Sequence, residues 1–148
     1  MPDLAATHAL GRRLAGVLRS GDQVGLSGPL GSGKTEFARA VIRAKAGAEV
    51  EVPSPSFTLV QDYTFGELTI RHVDLFRIEQ AAELVELGLD RAASDEVWLI
   101  EWPERAPGLL AEDHLDVILD QAAAPGGRLA RLQAGPSWQG RMAALLDG

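Results

Sequence analysis

An α/β fold, with a mixed parallel and antiparallel sheet flanked by helices, is what this sequence predicts, and three observations carry the prediction. Short β-patterned runs alternate with segments of helical periodicity, which calls for crossover connections. Other neighbouring runs are separated by only a few turn residues, which calls for hairpins and therefore antiparallel pairs beside the parallel ones. A glycine-rich stretch, residues 28–33, leads directly from a strand-like run into a helix-like one. With 148 residues, 46% of them hydrophobic and 24% charged, the chain has the size and composition of one globular domain over 1–148.

Taken in order, Leu10, Leu14, Val17 and Leu18 mark one face of a first helix over Thr7–Ser20, with Thr7 as its N-cap and Gly21 beyond its end. Gln23–Ser27 reads as a short buried strand. A second helix runs from Lys34, turns Phe37, Val41 and Ile42 inward, and stops at Gly47. Pro53 and Pro55 exclude regular helix and central strand, so a shaped loop follows. Phe57–Thr64 and Leu68–Leu75 read as a hairpin around Phe65-Gly66-Glu67. Gln80–Leu87 is helix-patterned up to Gly88. Val97–Trp102 is a buried strand, Pro103–Leu110 a short helix, Leu115–Leu119 and Leu129–Gln133 two more strands about Pro125-Gly126-Gly127, and Ser137–Leu146 a last helix.

Composition excludes several functions. No apolar run approaches the roughly 20 residues needed to span a bilayer. The first residues, MPDLAATHALGRR, lack the basic and apolar regions of an export signal. The absence of cysteine removes disulfides, thiolate metal sites and cysteine nucleophiles, and a cytoplasmic protein is expected. A net charge of −7 disfavours strong direct binding of nucleic acid by this chain alone. The charge is uneven: residues 1–48 hold 7 basic and 3 acidic side chains, whereas 74–120 hold 3 and 13. Such an acidic segment is either a solvated face or a surface for protein docking.

Residues 28–35, GPLGSGKT, match the pattern GxxxxGK[ST] between a strand and a helix, the context that a phosphate-binding P-loop requires. Gly31, Ser32 and Gly33 would curl backbone N–H groups around phosphate oxygens, and the helix that follows directs its N-terminal dipole at the same anion. Lys34 would bridge the β- and γ-phosphates, and the Thr35 hydroxyl would coordinate Mg²⁺. The chain contains no asparagine, so it cannot carry the Asn-Lys-x-Asp element that reads guanine. ATP is the expected nucleotide.

Glu101 closes the apolar run Val97–Ile100, which puts a carboxylate at the C-terminal end of a strand, where open α/β sheets bind ligands. It could hold Mg²⁺ or activate the attacking water. Asp74 ends another such run and is the candidate second carboxylate. Ser54, Ser56 and Thr58 flank the proline loop and could sense a γ-phosphate. Alternation turns Trp102 away from Glu101, toward a core or an interface, with a nucleotide contact as the alternative. His8, His72 and His114 lack metal-ligand spacing and read as structural.

Together, GPLGSGKT (28–35), SPSFTLV (54–60), HVDLFR (72–77), ELGLD (86–90) and IEWPE (100–104) closely resemble the bacterial TsaE family, also called YjeE, over Thr7 to about Gly135. The resemblance implies a small P-loop ATPase that works with TsaD and TsaB in threonylcarbamoylation of the adenosine next to the tRNA anticodon. It implies that Lys34, Thr35 and Glu36 belong to the nucleotide cradle, and Asp74 and Glu101 to the Mg²⁺ and hydrolysis machinery. Trp102 falls in a Glu-Trp pair of the family, and Thr7 and Arg128 stand where outlying nucleotide contacts lie. The chain departs from the pattern at Pro29, Ser56 and Glu36. The last replaces a hydroxyl by a carboxylate that an α-phosphate would repel, which predicts weak affinity for free ATP.

Two other functions use the same cradle. A P-loop small-molecule kinase would need an arginine-bearing lid, for which Arg128 and Arg131 are the only late pair. A nucleotide-dependent assembly factor would use hydrolysis only to reset a docking state.

Overall fold

The computed structural model describes residues 4–29, 31–47, 51–53, 60–80, 82–83, 96–106, 109–110, 112–121 and 128–146. Helix α1 (Leu4–Val17) leads to strand β1 (Gln23–Ser27), and helix α2 (Lys34–Ala46) follows. Strands β2 (Val60–Phe65) and β3 (Leu68–Asp74) form a hairpin that turns at Gly66, and β4 (Glu96–Glu101) comes next. A 3₁₀ turn (Pro103–Arg105), strands β5 (Leu115–Gln121) and β6 (Arg128–Ala134), a second 3₁₀ segment (Pro136–Arg141) and helix α3 (Met142–Leu146) complete the chain.

The six strands form one sheet in the order β2-β3-β4-β1-β5-β6. The four inner strands are parallel to one another, and β2 and β6 pair antiparallel at the two edges. The mixed sheet expected from crossovers and hairpins is therefore present. Its parallel centre has the apolar sequences that burial on both faces demands.

One face carries Val24, Leu26, Ile70, Val97, Leu99, Leu115, Val117 and Leu119 against Leu10 and Leu14 of α1 and Phe37, Val41 and Ile42 of α2. On the other face Val73, Leu75, Trp98 and Ile100 pack with Ile78 and Ala106. The two helices approach closely at Gly11, where a Cβ would lie 2.7 Å from that of Ala40. The C-terminal segment is anchored by Arg141. Its guanidinium makes a bidentate pair with Asp22 at 2.6 and 3.0 Å, donates to the Val17 carbonyl at 3.0 Å, and lies 3.7 Å from the Trp138 ring centre.

Several expected boundaries move, each for a local reason. Helix α1 begins at Leu4, so Thr7 is an internal, fully buried residue rather than an N-cap. The alanine-rich residues before it favour helix over a cap. The same helix ends at Val17 because Asp22 accepts from the Arg19 N–H at 2.6 Å and closes a turn where a last helical turn was expected. The helix expected over Pro103–Leu110 is a single 3₁₀ turn: Ala106 precedes a proline and adopts φ −136°, outside the helical region. The last helix opens as 3₁₀ before its α-helical end. Strand β2 starts at Val60, and the expected residues 57–59 lie outside those described, as do Ser54, Pro55, Ser56 and Thr58 and the part of the helix expected over Gln80–Leu87 that follows Glu83. Among the described residues no helix is long and apolar enough to cross a membrane.

Candidate nucleotide-binding site

Strands β3, β4 and β1 end side by side. Asp74 is aligned with Glu101, and Glu101 with Leu26, so both carboxylates sit in one row at the C-terminal edge of the sheet. The row is held beyond the strands by the Leu75 N–H donating to the Glu101 carbonyl and the Trp102 N–H to the Leu26 carbonyl, both at 3.1 Å. The glycine-rich segment leaves β1 at the same edge and enters α2 at Lys34. Gly28 must be glycine: its φ is +140°, and a Cβ would meet the Leu119 carbonyl oxygen at 2.0 Å. Gly33, with φ 103°, takes the N-cap position of α2 without a side-chain cap, which leaves the first N–H groups of the helix for another acceptor.

Lys34 is buried, and its Nζ donates to the carbonyls of Gly28 at 2.7 Å and Pro29 at 3.0 Å and lies 3.5 Å from Ser32 Oγ. Burial pushes its ammonium below the usual lysine range, and Glu101, Glu104 and Asp74 pull it partly back. A cation desolvated in this way binds an incoming anion more strongly than one in water.

Thr35 Oγ1 donates to Glu101 Oε1 at 2.8 Å, joining the start of α2 to the end of β4. Glu101 and Asp74 are both buried, and Asp74 Oδ1 accepts from the Phe76 N–H at 3.0 Å. These hard oxygen donors suit Mg²⁺. Among the described residues no group of three or more His, Cys, Asp or Glu side chains could hold a metal by itself. The arrangement fits an ion that arrives with a nucleotide, keeps several waters and takes its remaining ligands from phosphate oxygens.

The other expected residues fall unevenly around this centre. Thr7 lies against the loop, its Cγ2 3.9 Å from where a Cβ of Gly33 would stand. Ser32 is buried within the loop, and Gly31, at φ 79°, is exposed. Arg128 opens β6 opposite Gln121, and its side chain lies outside the described part. Glu36 is paired with Arg39 Nη1 at 2.6 Å and His8 Nε2 at 3.3 Å. Burial raises its affinity for a proton, but the hydrogen bonds from His8 and Arg39 outweigh that and hold its carboxyl below the usual range.

Two further side chains join the site, Trp102 through a backbone conformation that the sequence did not predict and His72 against its structural reading. Trp102 leaves β4 with φ 62°, a left-handed conformation rare for a side-chain-bearing residue. Its ring centre is thereby brought to 4.0 Å from Lys34 Nζ and 4.9 Å from the Phe76 ring. His72, set aside with the other histidines, is fully buried with Nε2 2.7 Å from Glu101 Oε2. Strand periodicity was the available signal, since His72 precedes Asp74 by two residues and must share its face.

Comparisons with known proteins agree with this architecture. The model of the family described as "Threonylcarbamoyl adenosine biosynthesis protein TsaE" matches residues 1–129. A tRNA threonylcarbamoyladenosine biosynthesis protein TsaE of Rickettsia felis is 39% identical over 114 residues, covering 77% of this chain and 67% of that one. The protein of the same description from Mycobacterium tuberculosis is 35% identical over 146 residues, covering 93% of this chain and 86% of its own. The crystal structure of Bacillus subtilis YdiB superposes with a TM-score of 0.76 over 98% of this chain and 90% of that chain, at 23% identity, and so shares the fold. On the family match and the identity to these relatives, the chain belongs to the TsaE family of tRNA threonylcarbamoyladenosine biosynthesis proteins.

Proposed function

We propose that this chain binds and hydrolyses ATP with Mg²⁺, and that it does so for the threonylcarbamoyl modification of tRNA by acting on a TsaB–TsaD complex in the cytoplasm. The observation that carries the reading is the hydrogen bond from Thr35 to Glu101 beside the buried Lys34. The hydroxyl turns its proton toward the carboxylate, so its lone pairs are left for another partner, which supports a role for it as a metal ligand.

Mg²⁺ bound with the nucleotide would be held by Thr35, with Glu101 and Asp74 behind it, and would neutralise charge developing on the transferred phosphoryl group. The loop N–H groups and Lys34 bind and orient the phosphates. Glu101 and Asp74 are the carboxylates placed to hold water at the strand ends, and the buried apolar rows beneath them exclude bulk solvent. Pairing with Arg39 and His8 disperses the charge of Glu36, which reduces the repulsion of an α-phosphate that its carboxylate suggests. The kinase alternative gains nothing from Arg131, which is exposed on edge strand β6 opposite Ile118.

Nucleotide titration and phosphate release test the proposal. Lys34→Ala removes the cation from the cradle and abolishes binding. Glu101→Ala retains ATP and loses hydrolysis by at least about 100-fold, because the cradle survives and the water or metal position does not. Unchanged ATP affinity in folded Lys34→Ala rejects the P-loop reading, and normal turnover in Glu101→Ala removes that residue from the mechanism. Phosphate release that begins only when a metabolite acceptor is supplied would instead establish a kinase.

A further inference from the structure

His72 occupies a position that packing alone would give to an aliphatic side chain. It lies between Ile70 and Asp74 on one face of β3, aligned with Leu99 of β4, and Ile70, His72 and Leu99 are all fully buried. An imidazole taken out of water at such a place is costly unless its polar atoms are used. The hydrogen bond it makes among the described residues joins Nε2 to Glu101 Oε2 at 2.7 Å, and Nδ1 has no partner there. A carboxylate oxygen only accepts, so Nε2 is the donor of this bond.

The bond completes a chain of three side chains. Glu101 Oε2 accepts from His72, and Oε1 accepts from Thr35 Oγ1 at 2.8 Å. With each oxygen engaged by a different donor, the carboxylate is held in one orientation, and that orientation draws the Thr35 hydroxyl proton toward Oε1. Without His72, Oε2 would be left buried and unpaired, and the carboxylate could rotate away from Thr35.

We propose that His72 is a positioning residue for the nucleotide's metal: by fixing Glu101 it orients the Thr35 hydroxyl that would ligate Mg²⁺. The role rests on the nucleotide reading above, and it belongs to the class of partners behind a metal ligand that set the ligand's geometry.

The test compares His72→Gln with His72→Asn, two neutral amides of which glutamine carries its N–H₂ to about the place of Nε2 and asparagine only to that of Nδ1. Calorimetry with ADP, with and without Mg²⁺, gives the tightening that Mg²⁺ produces, and phosphate release gives kcat and KM for ATP. In His72→Asn, Mg²⁺-free ADP affinity stays within about threefold of the parent, whereas the Mg²⁺-dependent tightening and kcat fall by about 10- to 100-fold. His72→Gln restores most of both. A merely structural histidine would not distinguish the two amides, so equal behaviour of Gln and Asn, or a full Mg²⁺ effect in His72→Asn, overturns the proposal. If the parent protein binds no ADP, or Lys34→Ala binds it equally well, the nucleotide reading itself has failed and the role of His72 falls with it.

Discussion

At the scale of single residues, Trp102 shows how a local strain can serve a site. Its left-handed φ of 62° costs on the order of 1–3 kcal/mol for a residue with a side chain. The ring lies 4.0 Å from Lys34 Nζ and still packs against the cluster that holds Trp98 and Ile100, the face to which strand alternation assigns it. On the proposed function, a phosphate bound in the loop would compete for the same ammonium and draw it off the ring. Trp98 and Trp138 are fully buried, whereas Trp102 is only partly so. Tryptophan emission should therefore change on addition of ADP, and Trp102→Phe should remove most of that change; a fluorescence titration of the two proteins checks it, and an undiminished signal in Trp102→Phe would show that the ring does not report on the cradle. The placement of Lys34, Thr35 and the strand-end acids at one edge of the sheet was legible in the sequence, because it follows from a motif and from strand ends. Trp102 and His72 were not, because one depends on a backbone inversion and the other on the neighbouring strand's register.

At the scale of elements, the parallel strands and α2 were readable to within a residue or two, since apolar runs bounded by glycine and proline leave few alternatives. The ends of α1 and the C-terminal segment were not, because tertiary hydrogen bonds decide them. Asp22 closes the turn after α1 and at the same time receives Arg141 from the far end of the chain. No periodicity in the sequence reports a contact between residues 119 positions apart. That pair is 5% and 8% exposed at its two side chains, so removing one partner leaves the other charge buried. Arg141→Ala should lower stability by about 3–5 kcal/mol, whereas replacing both partners by apolar residues of similar volume should cost much less. Urea denaturation of the single and double variants measures the difference, and a single variant as stable as the parent would show that the pair does not tie the C-terminal segment to α1 and β1.

At the scale of the whole molecule, charge and fold together bear on how the chain meets its substrate. The cradle lies at one edge of the sheet, within a basic N-terminal third, while acidic side chains of residues 74–120 recur in β4, the 3₁₀ turn and β5. Glu104, Glu112, Asp113 and Asp120 are exposed along that path. A surface of this sign repels an RNA backbone, so the proposed service in tRNA modification would call on a protein partner for the basic RNA-binding surface. If a TsaB–TsaD complex is that partner, its docking should complete the site and raise a slow intrinsic turnover. Linkage then makes the coupling reciprocal: the factor by which the complex changes affinity for ATP, typically about 5- to 150-fold for coupled sites, must equal the factor by which ATP changes affinity for the complex. Equilibrium binding of the complex in the presence of ADP, a non-hydrolysable ATP analogue and no nucleotide, alongside nucleotide titrations with and without the complex, measures both factors independently. Unequal factors would indicate a further linked equilibrium, such as self-association. Identical partner affinity in every nucleotide state, together with tight tRNA binding by the isolated chain, would remove the proposed mechanism altogether.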